Sequence, residues 1–188
     1  MDVRAASPSD AAAIAAVQVR AWQWAYRGLV PDSYLDAMSI DDRTARWRQG
    51  LEHLEAGRTF YLIAGERAAA GFVGIGPSRD EDTGTGTGEV YAIYVEPASI
   101  GTGLGHALLR HAEDELRLRG FSTAILWVLE GNTRARRFYE RHGWRPDGTS
   151  KTQDAFDVGA DLREVRYRRD LTRPRTGGHA VSSNSEPT

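Results

Sequence analysis

The sequence predicts an α/β fold in which helices cover both faces of one sheet. Residues 89–142 alternate strand, helix, strand and helix, the pattern expected of such a layered fold. The two strands in this run, residues 89–95 and 123–128, carry apolar side chains on both faces, which indicates that both faces are buried. The chain has 188 residues, 40% of them hydrophobic, which is enough for one sizeable core. We therefore expect a single domain over residues 1–171.

The first half of the chain is predicted to contain a short strand, two helices and a hairpin. Residues 1–6 are expected to form the strand, and the sequence Ser-Pro-Ser-Asp then starts a helix over residues 8–27. Apolar residues at helical spacing predict the second helix over residues 41–56. Residues 58–64 and 70–76 are β-rich runs separated by Gly-Glu-Arg, which is typical of a hairpin.

The second half contains the covered strands and two more helices. Side chains alternate between the two faces of a regular strand. For residues 89–95, this alternation assigns Val90, Ala92 and Tyr94 to one face, and Tyr91, Ile93 and Val95 to the other. One helix is predicted from Leu104, and another begins at Asn132 and ends at Gly143. Residues from 144 onward and residues 162–171 are expected to complete the sheet.

The composition excludes several classes of protein. No cysteine is present, which excludes a disulfide framework, a zinc ribbon and a cysteine nucleophile, and we expect a reducing, cytoplasmic location. The net charge of -2 provides no overall field for nucleic acid or an acidic membrane, and no apolar run approaches the ~20 residues that cross a bilayer. The 5 histidines show no metal-ligand spacing, so we expect no metal. Residues 172–188 are rich in Pro, Gly, Ser and Thr, which predicts a disordered tail.

A glycine-rich turn after the strand at residues 89–95 is the strongest indication of chemistry. Gly101, Gly103 and Gly105 alternate there, and glycine allows a ligand to approach the backbone closely. At the positive end of the following helix, N–H groups are expected to point at one spot from Gly101, Thr102, Gly103, Leu104, Gly105 and His106. Such a group of donors suits a diphosphate, whose oxygens need several hydrogen bonds.

Two other phosphate-binding loops fit this turn less well. A P-loop requires Gly-Lys-Ser/Thr, which the turn lacks. A dinucleotide-binding fingerprint requires glycine where His106 stands, although Glu130 at a strand end resembles the ribose-binding acid. A nicotinamide-dependent enzyme is therefore the minor alternative.

The turn and a second motif resemble the GNAT superfamily of N-acetyltransferases. The acetyl-CoA motif of that family, Arg/Gln-x-x-Gly-x-Gly/Ala, is matched at Gly103 and Gly105, with Ile100 in place of Arg or Gln. The second family motif is Asn-x-x-Ala-x-x-Phe-Tyr-Glu-x-x-Gly-aromatic. This sequence matches it at Asn132, Ala135, Phe138, Tyr139, Glu140, Gly143 and Trp144.

The resemblance implies a GNAT fold, which has a mixed, twisted central sheet of about six to seven strands and helices on both faces. It implies that acetyl-CoA is the cosubstrate, with its pantetheine arm in a gap between strands 89–95 and 123–128. The residues assigned to the cofactor are Tyr94, Val95, Gly101, Thr102, Gly103, Leu104, Gly105, His106, Asn132, Ala135, Arg137, Phe138 and Tyr139. Arg137 belongs to an arginine run that is otherwise typical of a solvated helix face.

Three groups are candidates for the reaction, which is the attack of an amine on a thioester. The family position of Tyr139 implies a general acid that protonates the leaving thiolate, because a phenol with a pKa of ~10 stays protonated at neutral pH. Periodicity alone favours a structural Tyr139 in the core. The resemblance places a backbone N–H that polarises the carbonyl near Val95. Glu89 is either the general base or a solvated acid at the start of a strand.

The acceptor is expected to be a primary amine, on a small molecule or exposed on a protein, which attacks acetyl-CoA directly in a ternary complex. Five aromatic residues either form its pocket or belong to the core: Trp22, Trp24, Tyr26, Tyr34 and Tyr91. The alternative from another functional class is a catalytically silent module that binds acyl-CoA. No nucleic-acid or membrane partner is expected, and a homodimer is the assembly that the family suggests.

Overall fold

A computed structural model describes residues 3–64, 69–153 and 161–172. These residues include the strands β1 (Val3–Ala5), β2 (Thr59–Ala64), β3 (Ala69–Pro77), β4 (Thr87–Val95), β5 (Thr123–Leu129), β6 (Arg145–Gln153) and β7 (Leu162–Asp170). They also include the helices α1 (Ala11–Ala25), α2 (Asp32–Asp36), α3 (Ile40–Glu52), α4 (Leu104–Leu118) and α5 (Thr133–Arg141). Apart from Thr172, the predicted tail lies outside the described residues.

The strands form one mixed sheet in the order β1-β2-β3-β4-β5-β7-β6. Neighbouring strands are antiparallel except for β4 and β5, which are parallel. α1 and α3 cover one face around Ile14 and Phe72, and we call this the α1 face. α4 and α5 cover the other around Leu108 and Tyr139, and we call this the α4 face. The predicted fold class, a mixed sheet with helices on both faces, is therefore confirmed.

The first two predicted helices differ from the observed ones at their ends. The helix predicted over residues 8–27 starts as a 3₁₀ turn over Pro8–Asp10 and continues as α1. The helix predicted over residues 41–56 is α3, which ends at Glu52. Helix ends depend on local capping and packing, so periodicity places them less well than it places the helix itself.

The parallel strands β4 and β5 diverge before either of them ends. Their pairing begins with Thr87 and Thr123 and stops at Val90 and Leu126. The remaining residues of the two strands do not pair with each other, so a gap opens between the adjacent edges. This splay lies where the resemblance to the GNAT superfamily places it.

A bulge in β4 changes which side chains share a face. In the ladder with β3, Val90 and Ala92 pair with consecutive residues, so Tyr91 is an extra residue. Val90 therefore lies on the α4 face together with Ile93, whereas Ala92 lies on the α1 face. The prediction that Val90 and Ala92 share a face was wrong, because an inserted residue interrupts the alternation of a regular strand.

A buried arginine connects the loop between β3 and β4 to the far edge of the sheet. Arg166 on β7 donates to Asp80 at 2.9 Å and to Asp82 at 2.7 Å, both in that loop. It also donates to Asp147 on β6 at 2.7 Å, and its side chain is only 7% exposed. Trp127 on β5 donates to Asp80 at 3.0 Å. The loop is therefore held beside β5 and β7.

Candidate active site

A cleft of about 960 Å³ passes through the splay between β4 and β5. Its walls include side chains from both faces of the sheet, so it connects the two sides of the molecule. The predicted site residues that line it are Trp24, Tyr26, Glu89, Tyr91, Tyr94, Val95, Gly101, Gly103, Gly105, His106, Asn132, Ala135, Phe138 and Tyr139. Those that do not line it are Trp22, Tyr34, Thr102, Leu104 and Arg137.

The turn before α4 holds two glycines in a conformation that other residues rarely adopt. Gly101 has a φ of +86° and Gly103 a φ of +90°. This left-handed conformation explains the need for glycine at both positions. A Cβ on either residue would meet no protein atom within 4 Å, so the space beside the backbone is open to a ligand.

The first turn of α4 supplies further donors to this end of the cleft. Helix N–H groups at the first positions have no partner within the helix, and Leu104, Gly105 and His106 occupy those positions. The glycine at position 105 also brings α4 close to α5, because its Cβ would lie 3.6 Å from the Phe138 ring. The turn and the helix start together form a positively polarised pocket of backbone amides, which we call the amide turn.

Three predicted cofactor residues do not line the cleft, for different reasons. The side chain of Leu104 is buried in the core, so only its backbone N–H is available. The Thr102 N–H already makes a long hydrogen bond of 3.4 Å within the preceding turn. Arg137 is exposed on α5, whereas the arginines of that helix that do line the cleft are Arg134 and Arg141.

α5 forms the wall of the cleft that faces the amide turn. The Asn132 side chain caps the helix, its Oδ1 accepting a hydrogen bond of 3.0 Å from the Ala135 N–H. Ala135, Phe138 and Tyr139 follow at helical spacing and line the cleft. The cap therefore fixes the start of the helix that carries the candidate general acid.

Tyr139 combines a packed ring with a hydroxyl that borders the cleft. The residue is 8% exposed, and its ring centroid lies 5.3 Å from that of Phe138 and 6.3 Å from that of Trp144. Within the described residues its hydroxyl makes no hydrogen bond, although buried tyrosine hydroxyls usually have a partner. Burial, together with the nearby Tyr94, raises the pKa of Tyr139 well above its ordinary value. The phenol therefore stays protonated over the whole neutral range.

The backbone N–H of Val95 faces the splay. The next residue, Glu96, donates its N–H to the Ala70 carbonyl of β3 at 2.9 Å. Because successive N–H groups of a strand point to opposite edges, the Val95 N–H points away from β3 and toward β5. β5 has diverged at that level, so this N–H is available to a carbonyl oxygen in the cleft.

Comparison with known proteins agrees with this geometry. The model of the acetyltransferase (GNAT) family matches residues 16–144, more than half of the chain. The chain belongs to the GNAT acetyltransferase family. The predicted family, fold and enzyme class are thereby confirmed.

Relatives and solved structures show how far this GNAT similarity extends. YuaI of Bacillus subtilis, an N-acetyltransferase that is itself uncharacterized, is 30% identical over 165 residues, which are 87% of this chain and 89% of YuaI. Mycothiol acetyltransferase of Beutenbergia cavernae is 47% identical over 60 residues, which are 32% of this chain and 20% of that enzyme. YncA of Salmonella typhimurium, solved with its cofactor acetyl-CoA, has a TM-score of 0.65 at 22% identity, covering 98% of this chain and 99% of YncA. The likeness to YncA shows a common fold.

The acidic side chains of this GNAT cleft pair with basic ones. Glu89 pairs with Arg79, and Glu164 lies 3.6 Å from Lys151. Across residues 3–64, 69–153 and 161–172, no group of three or more His, Asp or Glu is arranged to hold a metal ion. No helix in the same residues is long and apolar enough to cross a bilayer.

The buried carboxylate of Glu89 is held in an ion pair with the half-exposed Arg79 beside the cleft. Its Oε1 accepts from Arg79 Nη2 at 2.5 Å, and its Oε2 accepts from Arg79 Nε at 3.2 Å and from the Arg79 N–H at 3.0 Å. The residue is 1% exposed, so it is not the solvated strand-end acid that the sequence offered as an alternative. The pair anchors the start of the loop between β3 and β4.

The predicted acceptor aromatics divide between the cleft and the core. Trp22 is 2% exposed, and its ring packs edge-on against Tyr26 with centroids 5.0 Å apart. Tyr34 packs against the same buried cluster. Trp24 lies on the cleft, 45% exposed, with the Arg134 guanidinium 4.4 Å from its ring centroid. Residues two apart on a helix point to different sides, so Trp22 belongs to the core and Trp24 to the cleft.

Glu164 is a cleft residue that the sequence analysis missed. It lies on β7, is 8% exposed, and lines the cleft near Tyr26 and Tyr94, whose hydroxyls are 3.4 Å apart. Desolvation raises the pKa of both tyrosines, and the Glu164 carboxylate adds to the effect. Alternation along β7 places Glu164 and Val165 on opposite faces. Nothing local in the sequence shows that the Glu164 face borders a cleft.

Proposed function

We propose that this protein transfers the acetyl group of acetyl-CoA to a primary amine by direct attack of the amine in a ternary complex. The observation that carries the proposal is the continuous cleft, with the amide turn at one end and the hydroxyls of Tyr26 and Tyr94 with the Glu164 carboxylate at the other. A donor and an acceptor bound in this cleft meet between β4 and β5. Direct transfer also suits a chain that has no cysteine to form an acyl-enzyme.

The amide turn is suited to the diphosphate of the donor. Its donors are neutral backbone N–H groups at a helix start, and the glycines at 101 and 103 leave the space beside them open. We infer that the pantetheine arm lies along β4 beside Val95, in the gap that β5 leaves. YncA, which has the same fold and was solved with acetyl-CoA, supports acetyl-CoA as the donor.

The reaction forms a C–N bond and breaks the C–S bond of the thioester. In this proposal the Val95 N–H stabilises the negative charge that develops on the carbonyl oxygen. Tyr139 gives its phenolic proton to the departing thiolate and regains a proton from solvent. Glu164 holds the amine, receives the proton that the nitrogen loses on attack and releases it to solvent, which balances the proton that Tyr139 regains.

Strand register favours Glu164 over Glu89 for this last role. Glu89 pairs with Ile125, where β4 and β5 are still hydrogen-bonded to each other. Glu164 pairs with Leu129 at the end of β5, level with the open part of the splay. Glu89 also uses both carboxylate oxygens for Arg79, so we assign it to holding the loop.

A screen of amine acceptors with acetyl-CoA, read as release of free thiol, tests the proposed function. We expect amine-dependent thiol release matched by an equal amount of N-acetyl product in mass spectrometry. We also expect coenzyme A, and not NAD, to raise the melting temperature. A rise with NAD alone would favour the nicotinamide alternative. Binding of coenzyme A without turnover of any amine would favour the silent acyl-CoA module.

A further inference from the structure

A second cavity, of about 400 Å³, lies between α3 and the sheet. Four arginines line it, which are Arg43, Arg46, Arg58 and Arg79. Arg79 and Tyr91 also line the cleft, so the two spaces share a wall on the α1 face of β4. We call this space the α3 cavity.

The α3 cavity is cationic although the whole chain carries a net charge of -2. Its lining contains one carboxylate, Glu55, which pairs with Arg58 at 2.9 Å. Arg79 is neutralised by its ion pair on β4. Arg43 donates a hydrogen bond of 2.8 Å to the Tyr34 hydroxyl, and neither Arg43 nor Arg46 forms an ion pair within the described residues. Two guanidinium charges therefore border the cavity without a compensating carboxylate.

Aromatic rings contact three of the four arginines that line the α3 cavity, Arg58 and Arg79 at Tyr91 and Arg43 at Trp22, whose ring centroid lies 5.8 Å from its guanidinium carbon. The guanidinium carbons of Arg58 and Arg79 lie 5.0 and 4.6 Å from the centroid of the Tyr91 ring. Trp47 forms part of the wall and donates its indole N–H to Gln18 at 2.8 Å. Guanidinium groups that are stacked in this way lose little freedom when they bind a planar or tetrahedral oxyanion. The cavity is therefore built to receive negative charge.

We propose that the α3 cavity binds an anionic group of the acceptor, a carboxylate or a phosphate. This inference rests on the proposed function and narrows the acceptor to an amine that also carries a negative charge. Tyr91 in the cavity wall and Tyr94 near the splay are three residues apart on one strand, which corresponds to roughly 10 Å. The acceptor therefore extends along β4 from the splay to the α3 cavity.

Acceptors that differ only in the anion test this proposal. The probes are a series of ω-amino acids of increasing length, the matching amides, and ω-aminoalkyl phosphates. We expect the KM of the preferred acid to be ~10-fold below that of its amide, as for a charge-assisted contact. In the double variant Arg43→Gln/Arg46→Gln this preference should disappear, while kcat/KM for the amides stays unchanged. The comparison of carboxylates with phosphates identifies the anion.

Arg48→Gln is the matched control, because Arg48 lies on the same helix, is exposed, and does not line the cavity. It should keep the preference for the acid. A second readout uses glutarate with coenzyme A at saturation, so that the amide turn is filled. Glutarate should then raise the melting temperature of the wild type and not that of the double variant.

The outcomes separate the two proposals. Equal KM values for acids and amides in the wild type overturn the α3 cavity proposal and leave acetyl transfer intact. If no amine is acetylated, the proposed function fails, and the glutarate measurement alone decides whether the cavity binds anions. A glutarate effect that persists in the double variant overturns the assignment to Arg43 and Arg46.

Discussion

At the scale of single residues, the hydroxyl of Tyr139 has surroundings unlike those of its ring. The ring packs against Phe138 and Trp144 as any core aromatic would. The hydroxyl borders the cleft and makes no hydrogen bond within the described residues. A phenylalanine at this position would keep the packing and lose only the proton donor. This one atom therefore distinguishes a catalytic Tyr139 from a structural one.

Replacing Tyr139 by phenylalanine is expected to reduce turnover without unfolding the protein. The melting temperature and the affinity for coenzyme A should stay close to wild type, while kcat falls by ~10²–10⁴-fold, the usual effect of losing a general acid. Steady-state kinetics with acetyl-CoA and a competent amine measure the change. A Phe variant with nearly normal turnover would return Tyr139 to a structural role.

The pH profile provides a check on the same residue. Because burial raises the pKa of Tyr139, its acid form persists above pH ~10, the ordinary phenol value. The wild-type rate should therefore climb as the acceptor amine loses its proton and should not fall before that pH. A thioester with a more acidic thiol needs less protonation when the thiolate leaves, so the ratio of wild-type kcat to the kcat of the Phe variant should be smaller with such a substrate. An unchanged ratio would contradict proton donation by Tyr139.

At the scale of elements, glycines at the two ends of α4 allow the role of the amide turn in binding to be separated from the effect of backbone strain. Gly103 before the helix and Gly120 after it have φ values of +90° and +86°, and a Cβ on either meets nothing within 4 Å. Alanine at either position should cost about 1–2 kcal/mol of folding free energy, because its Cβ is strained in the left-handed conformation. Only Gly103→Ala should also weaken binding of coenzyme A, by ~10-fold or more, in calorimetric titration. Equal affinities in both variants would mean that the amide turn is not the diphosphate site.

The junction of β1 and α1 depends on Asp10. Its carboxylate accepts from Arg4 at 2.6 and 2.8 Å and from the Ser7 N–H at 2.8 Å, and the bond from Arg4 is the main cause of its lowered pKa. We expect Asp10→Asn to lower the free energy of unfolding by about 1–3 kcal/mol in urea titrations at pH 7. A carboxylate with a lowered pKa stabilises the fold above its unfolded-state pKa of ~3.9 and loses that effect as pH falls.

Two further results bear on Asp10. The difference between wild type and Asp10→Asn should shrink below pH ~4, because there the unfolded wild type binds a proton that the folded state, with its lowered pKa, does not. Asp36→Asn is the control, since Asp36 pairs with Arg27 on the surface and should leave the midpoint of unfolding unchanged. If the difference in free energy of unfolding did not depend on pH, the shape and not the charge of the Asp10 side chain would stabilise this junction.

At the scale of the whole molecule, the sequence predicted what local patterns control. The amphipathic face of α4, the cap at Asn132 and the glycines of the amide turn each carry a pattern in neighbouring residues, and the structure places them as predicted. The splay followed from the family resemblance and not from the residues of β4 and β5. The substrate roles of these elements stay predictions.

Features that depend on distant parts of the chain were not predictable in this way. The bulge at Tyr91 arises from pairing with β3, and the alternation within β4 gives no sign of it. Glu164 and Arg166 look like ordinary polar positions of an edge strand, yet β7 lies between β5 and β6 and their side chains are buried. The α3 cavity unites residues of α3, β4 and the loops around them. Only the folded chain brings these groups together.

Arg166 offers a test of how the sheet and the loop between β3 and β4 depend on each other. Its guanidinium joins Asp80, Asp82 and Asp147, so its removal leaves three carboxylates facing each other near the end of the cleft. We expect Arg166→Gln to lower the free energy of unfolding by about 3 kcal/mol, as for other buried ion pairs that lose one partner. The KM of the acceptor should rise, because Arg79 belongs to this loop and lines both the cleft and the α3 cavity.

The affinity for coenzyme A should be nearly unchanged in Arg166→Gln, since the amide turn lies on the other side of the splay. Arg163→Gln is the matched control on the same strand, because Arg163 is 57% exposed and only 3.5 Å from the exposed Glu130. It should alter the free energy of unfolding by no more than about 0.5 kcal/mol. Equal stability losses in the two variants would show that the arginine at 166 does not hold the loop. A loss of stability with an unchanged acceptor KM would confine its role to the sheet and separate the loop from the acceptor site.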